Sequence, residues 1–203
     1  PVIFSPIKSI TQDDFKGRII HRLIKNDISV YCAHTNLDVA SEGTNEYVAR
    51  LLGLSDVRNL TDYKYEKSVD LKGREYGLGK AGMLKTPMKP EDFISLIKNK
   101  LDVKYVRLIG AGTGEISKVA VFTGSFDVNL VLLAKEKIDV LITGDVKYHT
   151  AMDIVEMGLC VIDAGHFATE RIIVENLKTL LVKRFPQIEI ICSNMETDPF
   201  NYR

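Results

Sequence analysis

Val140-Leu141-Ile142-Thr143-Gly144-Asp145-Val146-Lys147-Tyr148-His149 opens with an apolar, β-branched run, breaks at a glycine and continues into residues with helical spacing. An unbroken apolar run is the pattern of a strand buried on both faces, and loops beyond the carboxyl ends of such strands line ligand crevices. Working outward, the alternation repeats. Residues 149–157 read as helix, 160–164 as strand, 169–185 as a long helix and 188–193 as a last strand. Upstream, 129–137 reads as helix, 118–122 and 103–109 as strands, and 91–100 as a helix with Phe93, Ile94 and Ile97 at helical spacing. Strands and helices alternating at these lengths predict an α/β fold with a partly parallel sheet.

The first part of the chain is less regular. Residues 2–4 read as a strand, and Asp13-Asp14-Phe15 starts a helix reaching about residue 26, with Ile19, Ile20, Leu23 and Ile24 on one stripe. A strand at 28–33 leads into the loop 34–38. A helix at 45–52 places Tyr47, Val48, Leu51 and Leu52 on one face and stops at Gly53. Residues 55–89 are polar and glycine-containing and read as short strands and turns, with Tyr63, Tyr65, Tyr76, Leu78 and Met83 as apolar contacts.

Composition narrows the function classes. With 203 residues, 45% hydrophobic and 27% charged, the chain is long enough for one large or two small domains with a substantial core. Lys plus Arg equals Asp plus Glu, so no sequence-wide basic excess points to nucleic acid. No apolar stretch approaches the roughly 20 residues of a membrane span. Cys32, Cys160 and Cys192 are odd in number and far apart, which fits thiols in a reducing, cytoplasmic setting.

Three glycine-rich segments bear on binding. Gly77-Leu78-Gly79-Lys80-Ala81-Gly82 satisfies G-x-G-x-x-G, but it neither leaves a clear buried strand nor opens a helix, so turns are the better reading. Gly110-Ala111-Gly112-Thr113-Gly114 joins two strands and lacks the helix N-terminus of a phosphate cradle. Gly144-Asp145 sits at a strand-to-helix turn, where Asp145 is either a helix cap or a site residue.

Two further stretches carry the chemistry. His34-Thr35-Asn36-Leu37-Asp38 and His166-Phe167-Ala168-Thr169-Glu170 each put a histidine four residues before a carboxylate, after an apolar run. Imidazole nitrogen and carboxylate oxygen are donors that Zn, Mn and Fe all accept. If residue 170 lies in the first turn of the last helix, His166 and Glu170 share a side. The bland alternative is that these polar strand ends are only caps and hydrogen-bonded structural residues.

At this point the sequence resembles a family. Ala33-His34-Thr35-Asn36-Leu37-Asp38, with Glu42-Gly43-Thr44-Asn45 and Leu51-Leu52-Gly53, is similar to the first signature of the NGG-interacting-factor-three-like proteins. Bacterial members are often labelled GTP cyclohydrolase I type 2 homologues. Residues 142–149 and Asp163-Ala164-Gly165-His166-Phe167-Ala168-Thr169-Glu170 resemble its other signatures, and the likeness runs to Asp198-Pro199-Phe200. The resemblance implies two related, intertwined α/β modules with mixed sheets flanked by helices, here approximately 1–73 and 74–203. It implies a toroidal homohexamer and a dinuclear site of divalent metal ions, Zn, Fe or Mn, two per subunit in the intact protein. Asp38, His166 and Glu170 match metal ligands; His34 and His149 match positions lining the same pocket and are the catalytic candidates.

The family also draws two ligands from an adjacent histidine pair just before a segment resembling residues 1–8. Here that segment is the start. The resemblance therefore implies further chain upstream, and a metal site short of donors without it. The expected function is a metal-dependent hydrolase of a small-molecule substrate, a nucleotide or phosphoester, in which an ion lowers the pKa of water and an imidazole moves protons. The rival is a ring-forming, metal-binding regulatory protein that acts through protein partners.

Overall fold

The computed structural model describes residues 2–62, 77–112, 114–195 and 197–200, without the side chains of 61 and 62. The chain divides into two compact units, Pro1–Leu37 and Asp38–Arg203. The boundary expected after residue 73 lies outside the described residues, as do Tyr63, Tyr65 and Tyr76.

The first unit contains one well-formed helix, α1 (Phe15–Lys25). Asp14 caps it, its carboxylate accepting the Gly17 N–H at 2.9 Å, so the helix starts where the paired aspartates predicted. A short helical turn, α2 (Thr35–Asp38), ends at the unit boundary.

The second unit is an α/β sheet structure, as the alternation predicted. Helix α3 (Thr44–Leu51) precedes β1 (Ser55–Asp62) and β2 (Gly77–Met88); α4 (Pro90–Leu101), β3 (Arg107–Ile109), β4 (Ile116–Ser125) and α5 (Leu130–Lys135) follow. Then come β5 (Val140–Gly144), α6 (Tyr148–Glu156), β6 (Val161–Asp163), α7 (His166–Arg171) and α8 (Ile173–Arg184). The six strands lie in the order β1-β2-β4-β5-β6-β3. β4, β5 and β6 are parallel; the pairs β1/β2, β2/β4 and β3/β6 are antiparallel.

Alternation along the strands builds a core on each face. Val119, Val121, Val140, Ile142 and Ile162 pack with Val48 of α3 and Phe93 and Ile97 of α4. Their neighbours Ala120, Phe122, Leu141 and Val161 join Leu133 of α5 and Ile154 of α6 on the other side. Each fully buried aliphatic or aromatic side chain contributes about 1.5–3 kcal/mol, so helices on both faces are required.

Several expectations need correction. No ladder forms over residues 2–4, 28–33 or 188–193. Extended backbone becomes a strand only beside a hydrogen-bonding neighbour, and among the described residues these segments have none. Their side chains are correspondingly open: Tyr31 is 81% and Ile191 77% exposed. His34 therefore does not follow a strand. Gly77–Gly82, expected as turns, lies within β2, paired on both sides. The long helix expected from 169 begins earlier, at His166, and divides at Ile172.

Candidate functional site

The parallel strands β4, β5 and β6 finish at Ser125, Gly144 and Asp163. Turns leaving carboxyl ends of neighbouring parallel strands converge, which is why α/β proteins place ligands there. Gly165, at φ +91°, a conformation that favours glycine, turns the chain into α7. The Thr169 hydroxyl then binds α7 to the sheet: it accepts the Gly124 N–H at 3.0 Å and lies 3.0 Å from the Gly165 and His166 carbonyls.

Asp163 is 4% exposed and aligns the turns on either side. Its carboxylate accepts the Val146 N–H and the Gly165 N–H, each at 2.9 Å, and pairs with Arg107. The residue after Asp145 and the residue before His166 thus hang on one buried anion. Between them, His166 Nδ1 stands 2.7 Å from Asp145 Oδ2, and His166 Nε2 stands 3.2 Å from Glu170 Oε1. Asp145 itself adopts a left-handed backbone, φ +53°, which aspartate tolerates better than most residues. It does not cap α6, whose N-cap is Lys147.

Two opposing influences act on His166. Burial, the largest, favours the neutral ring, but the hydrogen bond to Asp145, the charges of Glu170 and Asp145 and the Glu170 contact together outweigh it. The net result is a pKa above the ordinary histidine value. Gly124, at φ +77°, closes the pocket on the strand side: a Cβ there would collide with Glu170 Oε1 and lie 3.6 Å from His166 Nε2.

Of the residues singled out in the sequence, His166 and Glu170 are brought together on one side of α7. Asp38 is linked to the same region through buried Asn45, whose amide donates to the Asp38 carbonyl at 3.1 Å and accepts from Thr123 N–H at 2.9 Å. Thr123 directly precedes Gly124. His149 is exposed at the start of α6, its ring edge-on to Tyr148 with centroids 5.6 Å apart. His34 belongs to the first unit, edge-on to Phe4 at 6.1 Å. Asp145 is the partner that sequence reasoning left undecided. The available signal was an aspartate directly after a glycine at a strand end.

The donor chemistry at His166 and Glu170, one imidazole nitrogen and one carboxylate oxygen, suits a divalent cation, and Asp145 on the far ring nitrogen is the usual outer partner of a ligating histidine. Among the described residues, however, no three His, Cys, Asp or Glu side chains gather into a coordination set. The pair fits one ion in part. It does not by itself make two coordination spheres.

Fold and site define a mixed α/β protein with a histidine–carboxylate cluster at the carboxyl ends of parallel strands. The chain belongs to the Duf34/NIF3 (NGG1p interacting factor 3) family, whose model matches residues 1–199. Among its relatives, the GTP cyclohydrolase 1 type 2 homolog of Clostridium perfringens is 35% identical over 203 residues, covering 100% of this chain and 75% of that protein. The homolog in Clostridium acetobutylicum is 32% identical over 207 residues, with the same coverage. The crystal structure of Staphylococcus aureus protein SA1388 superposes with a TM-score of 0.86 at 30% identity, over 100% of this chain and 78% of that one. No helix among the described residues is long and apolar enough to cross a membrane.

Proposed function

We propose that this protein is a metal-dependent hydrolase of nucleotides or other phosphoesters, with Asp38, His166 and Glu170 as donors to divalent metal ions. The supporting observation is the ring of His166. A carboxylate only accepts, so Nδ1 carries the proton shared with Asp145 at 2.7 Å. In the neutral ring, Nε2 then turns a lone pair toward Glu170 Oε1 at 3.2 Å. Lone pairs that close repel unless a proton or a cation stands between them, and the raised pKa of His166 expresses the same demand for positive charge.

A divalent ion supplies Lewis acidity and lowers the pKa of water. This chain's own residues do the rest. Asp145 fixes the tautomer and plane of His166, Asp163 holds the turns that carry both residues, and Asn45 sets the backbone of Asp38. His34 and His149 are the candidates for moving a proton. Zn, Mn and Fe are the metals to test, and the clostridial relatives' name makes GTP the first substrate. Protein loaded with each metal is incubated with GTP and with a phosphodiester, and bound metal is measured alongside. Turnover that disappears in Asp38→Ala and Glu170→Ala supports the reading; turnover that survives in both removes these residues from it.

Helix α6 favours a second reading. Tyr148, Met152 and Val155 recur at i, i+4 and i+7 and are 76%, 53% and 58% exposed. An apolar stripe in water suits a neighbouring copy of the chain, as in a cytoplasmic homohexamer that binds metal and acts through protein partners without turnover. Sedimentation of wild type against Met152→Glu tests the assembly. Metal binding without hydrolysis of either substrate favours this reading over the first.

A further inference from the structure

Helix α7 has a second working face. His166 and Glu170 point toward Asp145 and Gly124, while Phe167, Ala168 and Arg171 line a cavity of about 310 Å³ whose other walls include Lys104, Tyr105 and Phe200. That volume lies at the lower end of the range for small-molecule pockets, about 300–1,000 Å³.

The wall chemistry has three parts. Phe167, Tyr105 and Phe200 offer ring surfaces. Lys104 and Arg171 offer positive charge, and among the described residues neither is ion-paired; the Arg171 guanidinium sits over the Phe167 ring, 5.9 Å from its centroid. Asp102 and Asp198 add acceptors; Asp198 Oδ1 already takes the Phe200 N–H at 2.9 Å, which holds residues 198–200 in a turn. Rings stack on aromatic faces and guanidinium planes, phosphates pair with Arg and Lys, and carboxylates accept from hydroxyl and amino groups.

From this combination we infer that the cavity binds a nucleoside monophosphate or a similar ligand, in which a planar ring, hydroxyl donors and one phosphate are joined in a single small molecule. The ring stacks near Phe167, the phosphate meets Arg171 and Lys104, and Asp102 takes the hydroxyl or amino donors. This site is separate from the His166–Glu170 cluster and needs no metal.

The test is a titration of the isotopically labelled full chain with adenosine 5′-monophosphate in the presence of a chelator, followed by amide chemical shifts. The expected result is saturable shifts at Lys104, Tyr105, Ala168 and Phe200. Lys104→Ala and Arg171→Gln, both at exposed positions, should each weaken binding roughly tenfold, the usual effect of losing one charge-assisted hydrogen bond. Adenosine alone and inorganic phosphate alone should bind more weakly than the joined molecule. Three results would each overturn the inference: no saturable binding, shifts centred on Gly124 and Gly144, or folded variants that bind as tightly as wild type.

Discussion

His166 Nδ1–H donates a hydrogen bond to Asp145 Oδ2 across 2.7 Å, although 21 positions separate the two in the chain. The contact exists because β5 and β6 are neighbouring parallel strands whose following turns face each other, both anchored on the Asp163 carboxylate. It decides which nitrogen of His166 faces Glu170, and so what that face of the ring can bind.

Removing the Asp145 carboxylate should therefore change how His166 titrates. Asp145→Asn is expected to lower the His166 midpoint, followed by the ring resonances in a pH series. Stability follows with a definite sign. A histidine whose folded pKa is raised stabilises the fold fully below its unfolded value, about 6.5, and loses that contribution as pH rises through the folded midpoint. The urea midpoint of wild type should exceed that of Asp145→Asn most near pH 5.5, and the difference should shrink toward pH 8.5. An equal difference at both ends would show that the pair is not coupled to this proton.

Gly124 tests the geometry of the same pocket from the strand side. Gly124→Ala puts a Cβ into the Glu170 carboxylate and forces a side chain into φ +77°. Gly158 has a similar φ, +66°, with nothing within 4 Å of the added carbon, so Gly158→Ala carries the backbone cost alone. Gly158→Ala should lose about 1–2 kcal/mol of stability, and Gly124→Ala more than that. Only Gly124→Ala should also move the His166 ring resonances; if Gly158→Ala moves them equally, the effect is not local to the pocket.

The second unit was legible from sequence because its signals are local. β5 and α6 fall within a residue of the expected spans, and residues 118–122, read as a strand, lie within β4, where Val119 and Val121 enter one core and Ala120 and Phe122 the other. His166 and Glu170 were readable as a pair because helical spacing alone brings i and i+4 together. Pairing between distant segments was not. Residues 28–33 have the apolar composition of a strand, but a ladder partner is a property of another stretch of chain. Asp145 was undecided for the same reason: its role depends on Asp163 and His166, both supplied by the next βα unit.

The cysteines make a chemical check on burial. Cys32 is exposed and Cys160 buried. Burial pushes the Cys160 thiol up, only partly offset by its hydrogen bond with Gly112, and the thiolate is the reactive form. Iodoacetamide at pH 8 should modify Cys32 in the folded protein and reach Cys160 only after denaturation, as peptide mass mapping over a time course would record. Labelling of Cys160 at the rate of Cys32 would contradict the packing of β6 against the core.

Thr143 offers a gain rather than a loss. It is 0% exposed, one residue before Gly144, and its hydroxyl has no hydrogen-bond partner among the described residues. A buried hydroxyl without a partner forfeits its hydration and receives nothing in return. Valine has nearly the same shape and favours strands, so Thr143→Val should raise stability by about 1 kcal/mol, or about 2–4 °C in Tm for a chain of this size. Calorimetry of the two proteins at one pH measures it. A fall in Tm of that size would mean that the hydroxyl is satisfied in solution, by an ordered water between β4 and β5 or by a ligand reaching in from the crevice, and would assign Thr143 to the site rather than to the core.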